Sequence, residues 1–159
     1  MLRESVASLP NTSILDPNPA SSMSPAPMPA VTALYAGLVG LLLLILAARI
    51  SRLRRKLKIG IGDGGDRLLE RAIRAHGNAV EWGLPAIVLL LVADLNRAPA
   101  VFLHMCGLAI VVGRVLHAFG LSRAGGHSFG RFSGSALSWG AVAVLAVWCV
   151  WAFARLLLV

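Results

Sequence analysis

The stretch RAIRAHGNAVEWGLPAIVLLLVA, Arg71–Ala93, decides the fold. Its first half carries Arg71, Arg74, His76, Asn78 and Glu81, and its second half is an almost unbroken apolar run. At about 100° per residue, Arg67, Glu70, Arg71, Arg74, Asn78 and Glu81 share one helical stripe about 100° wide, and His76 points to the opposite side. A charged side chain facing lipid costs about 2.5–3.5 kcal/mol even on insertion scales, so the stripe must face protein or water. Glu70 and Arg74 form an i,i+4 pair, and Asn78 continues the row. Pro85 disrupts the backbone bond to the carbonyl of Glu81, and such a gap is tolerated in a membrane where it faces a cavity or a neighbouring helix.

The rest of the chain supplies the membrane context. It has 159 residues, 57% of them hydrophobic and 14% charged, with a mean hydropathy of +0.77. Several apolar runs reach the roughly 20 residues that cross a bilayer, so the chain reads as an integral membrane protein. The net charge of +8 does not point to nucleic acid. Nine of the fifteen Lys and Arg residues fall between Arg49 and Arg74, beside an apolar run and without interleaved aromatics, as in a juxtamembrane basic loop. Cys106 and Cys149 lie within apolar runs and read as small hydrophobes, and no Cys/His spacing suggests a metal.

Residues 1–29, rich in Pro and Ser, read as a disordered tail without the apolar core of a signal peptide. A natural start at Met23 or Met28 is the alternative. Four helical spans are expected after it, at about 30–50, 66–93, 99–121 and 132–158, forming an all-α four-helix membrane bundle. The run RLRRKLKIGIGDGGD is expected as a loop, with its glycines ending any helix. Asp66 suits the N-cap of the second helix, Glu70 its first turn, and Pro99 the first turn of the third. Loops one and three carry most of the Lys and Arg, so they should face the cytoplasm.

That topology brings polar groups from four helices to one depth. Arg52 closes the first span on the basic side and the stripe opens the second there. Arg114 and His117 end the third span, and Arg131 begins the fourth. The excess of positive charge favours an anionic ligand. A structural ion-pair network that only sets packing would give the same pattern. His104, near the opposite end, reads as a packing or interfacial residue.

ERAIRAHGNAVEWGLP, Glu70–Pro85, resembles the signature of the MAPEG family, the membrane-associated proteins in eicosanoid and glutathione metabolism, in its spacing of Glu, Arg-Ala-His, Asn, Glu and Pro. GRVLHAFGL, Gly113–Leu121, resembles the end of that family's third helix, and SRLRRK its first basic loop. The resemblance runs from about Met28 to Leu158 and is nearest the small bacterial members. It implies a homotrimer in the bacterial inner membrane, with glutathione bound between subunits at the cytoplasmic end. It also implies Arg52, Arg74, Asn78 and Glu81 as glutathione-binding residues, Arg114 and His117 lining the same pocket, and Arg131 stabilising the thiolate. Lipophilic electrophiles arriving from the bilayer would be the second substrate.

The sequence departs from the family pattern at three places. Gly77 stands where some members carry Arg, Leu121 replaces an aromatic hydroxyl one turn beyond His117, and the segment after Arg131 offers Ser133 and Ser135 but no tyrosine. The single tyrosine, Tyr35, lies at the other end. Three functions follow for comparison. The first is a glutathione-dependent transferase or peroxidase. The second is a small transporter using Glu81 to couple protons to export of a cation. The third is a structural or regulatory membrane protein that retains the pocket without turnover.

Overall fold

The fold follows from four helices, each of them, at 24 residues or more, longer than the hydrocarbon core of a bilayer is thick. The computed structural model describes residues 28–123 and 128–158, so the tail expected over 1–29 lies outside the described residues up to position 27. The helices are α1 (Ala30–Leu57), α2 (Arg67–Leu95), α3 (Ala100–Arg123) and α4 (Phe129–Leu156), and no strand occurs among the described residues. All four are long and apolar enough to cross a membrane. Leu41, Val101 and Val147 are 59–76% exposed, as lipid-facing side chains are when no lipid is present. The molecule is an all-α membrane protein of four spanning helices.

The basic run expected as a loop is corrected in part. α1 continues seven residues past Ile50, through Ser51–Leu57. Its 28 residues measure about 42 Å at 1.5 Å per residue, against a hydrocarbon core of about 30 Å. The last turns therefore stand clear of the hydrocarbon core, where Arg54, Arg55 and Lys56 meet the negative end of the helix dipole. Lys58 ends the helix in the left-handed region at φ 54°, and its N–H donates to the Arg54 carbonyl. The turn that follows requires glycine: Gly62, Gly64 and Gly65 have φ of 69°, 59° and 78°.

Asp66 caps α2, accepting from the N–H groups of Leu68 and Leu69 at 2.9 and 2.8 Å. Pro85 lies inside α2, which continues through it. α3 begins one residue later than expected, because the Pro99 carbonyl accepts from Leu103 N–H and so precedes the first turn. α4 begins three residues earlier than expected, with Ser128 as its N-cap. Arg131 is thus in the first turn of α4, its N–H bonded to Ser128 Oγ at 3.3 Å.

α2 and α3 form the middle of the bundle; α1 and α4 pack against both and do not touch each other. Leu90, Leu103, Ile110 and Leu145 are fully buried in the main core. A second, smaller cluster of Leu46, Ala75, Ala79 and Ala118 lies beside the polar half of α2. α3 and α4 come closest of all, through Gly113 and Gly120 on one helix and Gly130 and Gly134 on the other. Small residues admit such close approach, and in lipid it is packing that drives it.

At the end remote from the stripe, α1 has no side-chain cap of its own, since Pro29 occupies that position. Asp94 of α2 supplies one across the bundle, accepting from Thr32 N–H at 2.9 Å. Tyr35 fills the adjacent space against Gly107 and donates its hydroxyl to the His104 carbonyl at 3.1 Å. The same hydroxyl lies 3.0 Å from His104 Nδ1. His104 is therefore a packing histidine at this end, as its position in the sequence suggests.

Candidate functional site

The N-cap at Asp66 fixes where α2 begins, and hence which of its side chains share a face. That face opens on a cavity of about 660 Å³. Arg67, Glu70, Arg71, Arg74, Asn78 and Glu81 line it from α2, with Gly77 and Ile73 between them. His117 and Leu121 close it from α3, and Arg131 from α4. Four guanidiniums stand against two carboxylates, so the lining carries a formal charge of +2. The six-residue stripe read from helical periodicity is thus the wall of a single cavity, and His76 takes no part in it.

Glycine contacts set the other two walls. A Cβ on Gly134 would meet the Gly113 carbonyl oxygen and the His117 amide nitrogen, each at 2.5 Å, so α4 lies directly on the backbone of His117. A Cβ on Gly120 would lie 2.7 Å from Arg131 N. Any larger residue at either position would push His117 and Arg131 apart. Together these two side chains also border a second cavity of about 280 Å³, with Ser128, Phe132, Ser135 and Trp139. It shares His117 and Arg131 with the first cavity and none of the α2 stripe, so these two side chains border one polar space and one largely apolar one. Trp139 stacks at a tilt on Trp82 of α2, with centroids 5.4 Å apart.

Arg114 behaves differently from its expected place in the pocket. It is 2% exposed and does not line the cavity. Its Nε donates to Ser138 Oγ at 2.9 Å, Nη1 to Asn78 Oδ1 at 2.9 Å and Nη2 to the Gly134 carbonyl at 3.3 Å. Ser138 Oγ in turn donates to the Gly134 carbonyl at 2.9 Å. A buried guanidinium must be satisfied donor by donor, and here neutral oxygens from α2 and α4 do it. Arg114 therefore clamps three helices behind the cavity wall. Because Asn78 Oδ1 is engaged by Arg114, the amide NH2 is the polar group that Asn78 has left to offer a ligand.

Arg52 also stands apart. It is exposed, its Nε donates to Ala48 of its own helix at 3.3 Å, and no residue of α1 lines the cavity. The structure thus gathers Arg74, Asn78, Glu81, His117 and Arg131 around one space, and leaves Arg52 and Arg114 off its wall. α1 is tied to this end by Arg49, whose guanidinium hydrogen-bonds Ser122 Oγ. Among the described residues no three His, Cys, Asp or Glu side chains are grouped to hold a metal.

Three contributors, Ser138, Gly113 and Gly120, carry no chemical motif in the sequence. Ser138 completes the Arg114 clamp, and its signal was the Gly134–Ser138 spacing of small residues four apart on α4. Gly113 and Gly120 stand seven apart on α3, one face of a helix, and mark the same contact from the other side.

The sequence model of the MAPEG family matches residues 32–151. The inner membrane protein YecN of Escherichia coli K12 is 38% identical over 123 residues, covering 76% of this chain and 91% of that protein. The same-named protein of an O6:H1 strain of Escherichia coli has the same identity and coverage.

Proposed function

The chain belongs to the MAPEG family, and on that premise we propose that it binds glutathione in the 660 Å³ cavity and uses it on lipophilic electrophiles, as a transferase or peroxidase of a bacterial inner membrane. The family includes glutathione-dependent enzymes, and the residues present suit that ligand. One observation carries the reading: side chains from α2, α3 and α4 converge on a single cavity with four guanidiniums and two carboxylates in its wall. Glutathione has two carboxylates and one ammonium, which an Arg-rich wall holding Glu70 and Glu81 complements. The volume lies within the roughly 300–1,000 Å³ typical of small-molecule sites.

In this reading Arg74 holds a carboxylate, the Asn78 amide donates alongside it and Glu81 takes the ammonium. Bound glutathione supplies a thiol nucleophile, and the Arg131 guanidinium, at the start of α4, stabilises its anionic form. His117, on the same wall, is placed between the tripeptide and the second cavity. Arg114 keeps Asn78 oriented without touching the ligand. Arg52, exposed and off this protomer's cavity wall, would serve the cavity of a neighbouring protomer in a homotrimer whose ligand lies between subunits. With loops one and three in the cytoplasm, the cavity opens towards cytoplasmic glutathione.

The transporter alternative asks Glu81 to handle a cation. The four guanidiniums sharing its cavity repel one. The test is calorimetric titration of glutathione into the purified protein, beside Arg74→Ala and Glu81→Gln. Each variant is expected to lose about tenfold or more in affinity, as for a charge-assisted hydrogen bond. Wild-type binding in both variants would remove the α2 stripe from the site.

A further inference from the structure

At the opposite end of the bundle lies a third cavity, of about 470 Å³, that glutathione chemistry does not use. The short α2–α3 turn and the last turns of α4 build it. Arg97 comes from the turn and Arg155 from α4, and among the described residues no carboxylate lines it. Arg97 has a φ of 60°, a left-handed conformation that costs a non-glycine residue energy and is held here by its N–H bond to the Asp94 carbonyl at 2.9 Å. Asp94 itself is turned away, accepting from α1. Neither guanidinium has a carboxylate partner among the described residues. α3 begins at this cavity, and its first turn contains no acidic residue to oppose the positive end of its dipole.

The remaining wall is aromatic. Trp148 and Trp151 are 6.2 Å apart, and the Arg155 guanidinium lies 4.8 Å from the Trp151 ring centroid. Trp148 also meets Phe102 of α3 at 6.1 Å. Tryptophans at a helix end mark the headgroup level of a bilayer, so the cavity is charged at its mouth and apolar towards the hydrocarbon. Asn96 uses its amide N–H to bond the Val92 carbonyl at 2.7 Å, which leaves its Oδ1 as an acceptor at the rim.

We propose that this cavity binds the headgroup of an anionic phospholipid of the phosphatidylglycerol class, on the membrane face opposite the glutathione cavity. The phosphodiester sits between Arg97 and Arg155, a glycerol hydroxyl donates to Asn96 Oδ1, and the acyl chains descend along Trp148 and Phe102. A phosphatidylcholine headgroup carries a quaternary ammonium, which two guanidiniums repel and which has no hydroxyl to offer Asn96. The charge complementarity therefore selects among lipids and does not merely attract a membrane.

The test uses the full-length protein, stripped of lipid in detergent and titrated with phosphatidylglycerol or phosphatidylcholine of identical acyl chains, with bound lipids counted by native mass spectrometry. The wild type is expected to retain one phosphatidylglycerol at about tenfold lower concentration than phosphatidylcholine, the size of effect that two guanidiniums at an anionic surface provide. The Arg97→Gln/Arg155→Gln variant should lose that preference. Arg155→Gln alone, an exposed change in the last turn of α4, should lose part of it in a folded protein. A Arg55→Gln/Lys56→Gln variant, which removes charge from the other end, should keep it. Equal retention of the two lipids by the wild type would overturn the proposal, as would an unchanged preference in the double variant. Displacement of the lipid by millimolar inorganic phosphate would assign the site to free phosphate instead, and would also overturn it.

Discussion

Replacing Gly134 by alanine places a methyl carbon 2.5 Å from the Gly113 carbonyl oxygen and from the His117 amide nitrogen. Both are backbone atoms, so no side chain can swing aside. Ordinary contact begins near 3.4 Å, so α4 must retreat from α3 by about 0.9 Å, the difference from 2.5 Å. Overpacking of this kind costs about 1–3 kcal/mol. The retreat also stretches the 3.3 Å bond from Arg114 Nη2 to the Gly134 carbonyl beyond bonding range. A lost hydrogen bond to a charged group adds about 1.5–3 kcal/mol. Against these stands the gain of about 1 kcal/mol from replacing a helical glycine with alanine. The net expectation is a loss of about 1.5–5 kcal/mol from these terms. Gly140 is the internal control, since a Cβ there meets nothing within 4 Å. Gly140→Ala should be neutral or gain up to about 1 kcal/mol. Unfolding in mixed micelles, followed by tryptophan fluorescence, measures both variants against wild type. The same displacement moves His117 and should weaken glutathione binding in Gly134→Ala only. If Gly134→Ala and Gly140→Ala unfold alike, the close α3–α4 contact does not exist in the membrane-embedded protein.

Arg131→Ala is expected to abolish the ultraviolet thiolate absorbance of bound glutathione while changing its affinity by less than about threefold; an undiminished thiolate signal removes Arg131 from the chemistry. Asp94→Ala takes away the only side-chain acceptor bonded to the first turn of α1 among the described residues. It should lower stability by about 0.5–2 kcal/mol in the same unfolding assay. A wild-type unfolding curve would show that water satisfies Thr32 N–H equally well.

Much of this protein is legible in its sequence because a membrane makes local pattern decisive. With no water in the hydrocarbon core, backbone groups must pair within their own segment, so runs of about 20 apolar residues become helices whatever their neighbours do. The stripe from Arg67 to Glu81 was readable for the same reason. Helical periodicity fixes the angle of each side chain about its own axis, and a charged stripe cannot be left in lipid. Asp66 announced the start of α2 by its chemistry alone. α1 was less legible, because the basic run beyond Ile50 changes solvent rather than conformation. Arg and Lys are good helix formers, and the helix continues through them into water.

Depth along a helix does not say which neighbour a side chain meets. Arg114 lies at the depth of the cavity, as its position in α3 requires, yet it turns inward to Asn78, Ser138 and the Gly134 carbonyl. Arg52 lies near the same end and faces outward. Asp94 carries no signal of its own in the sequence, yet it caps a helix 62 residues earlier in the chain. The sequence by itself determined four spanning helices, their polar and apolar faces, and the end at which their charges gather. Only the tertiary structure decided which of those charges share a cavity and which are consumed in holding the helices together. That choice depends on how closely α3 and α4 approach, and a difference of one methyl group at Gly113, Gly120 or Gly134 is enough to change it.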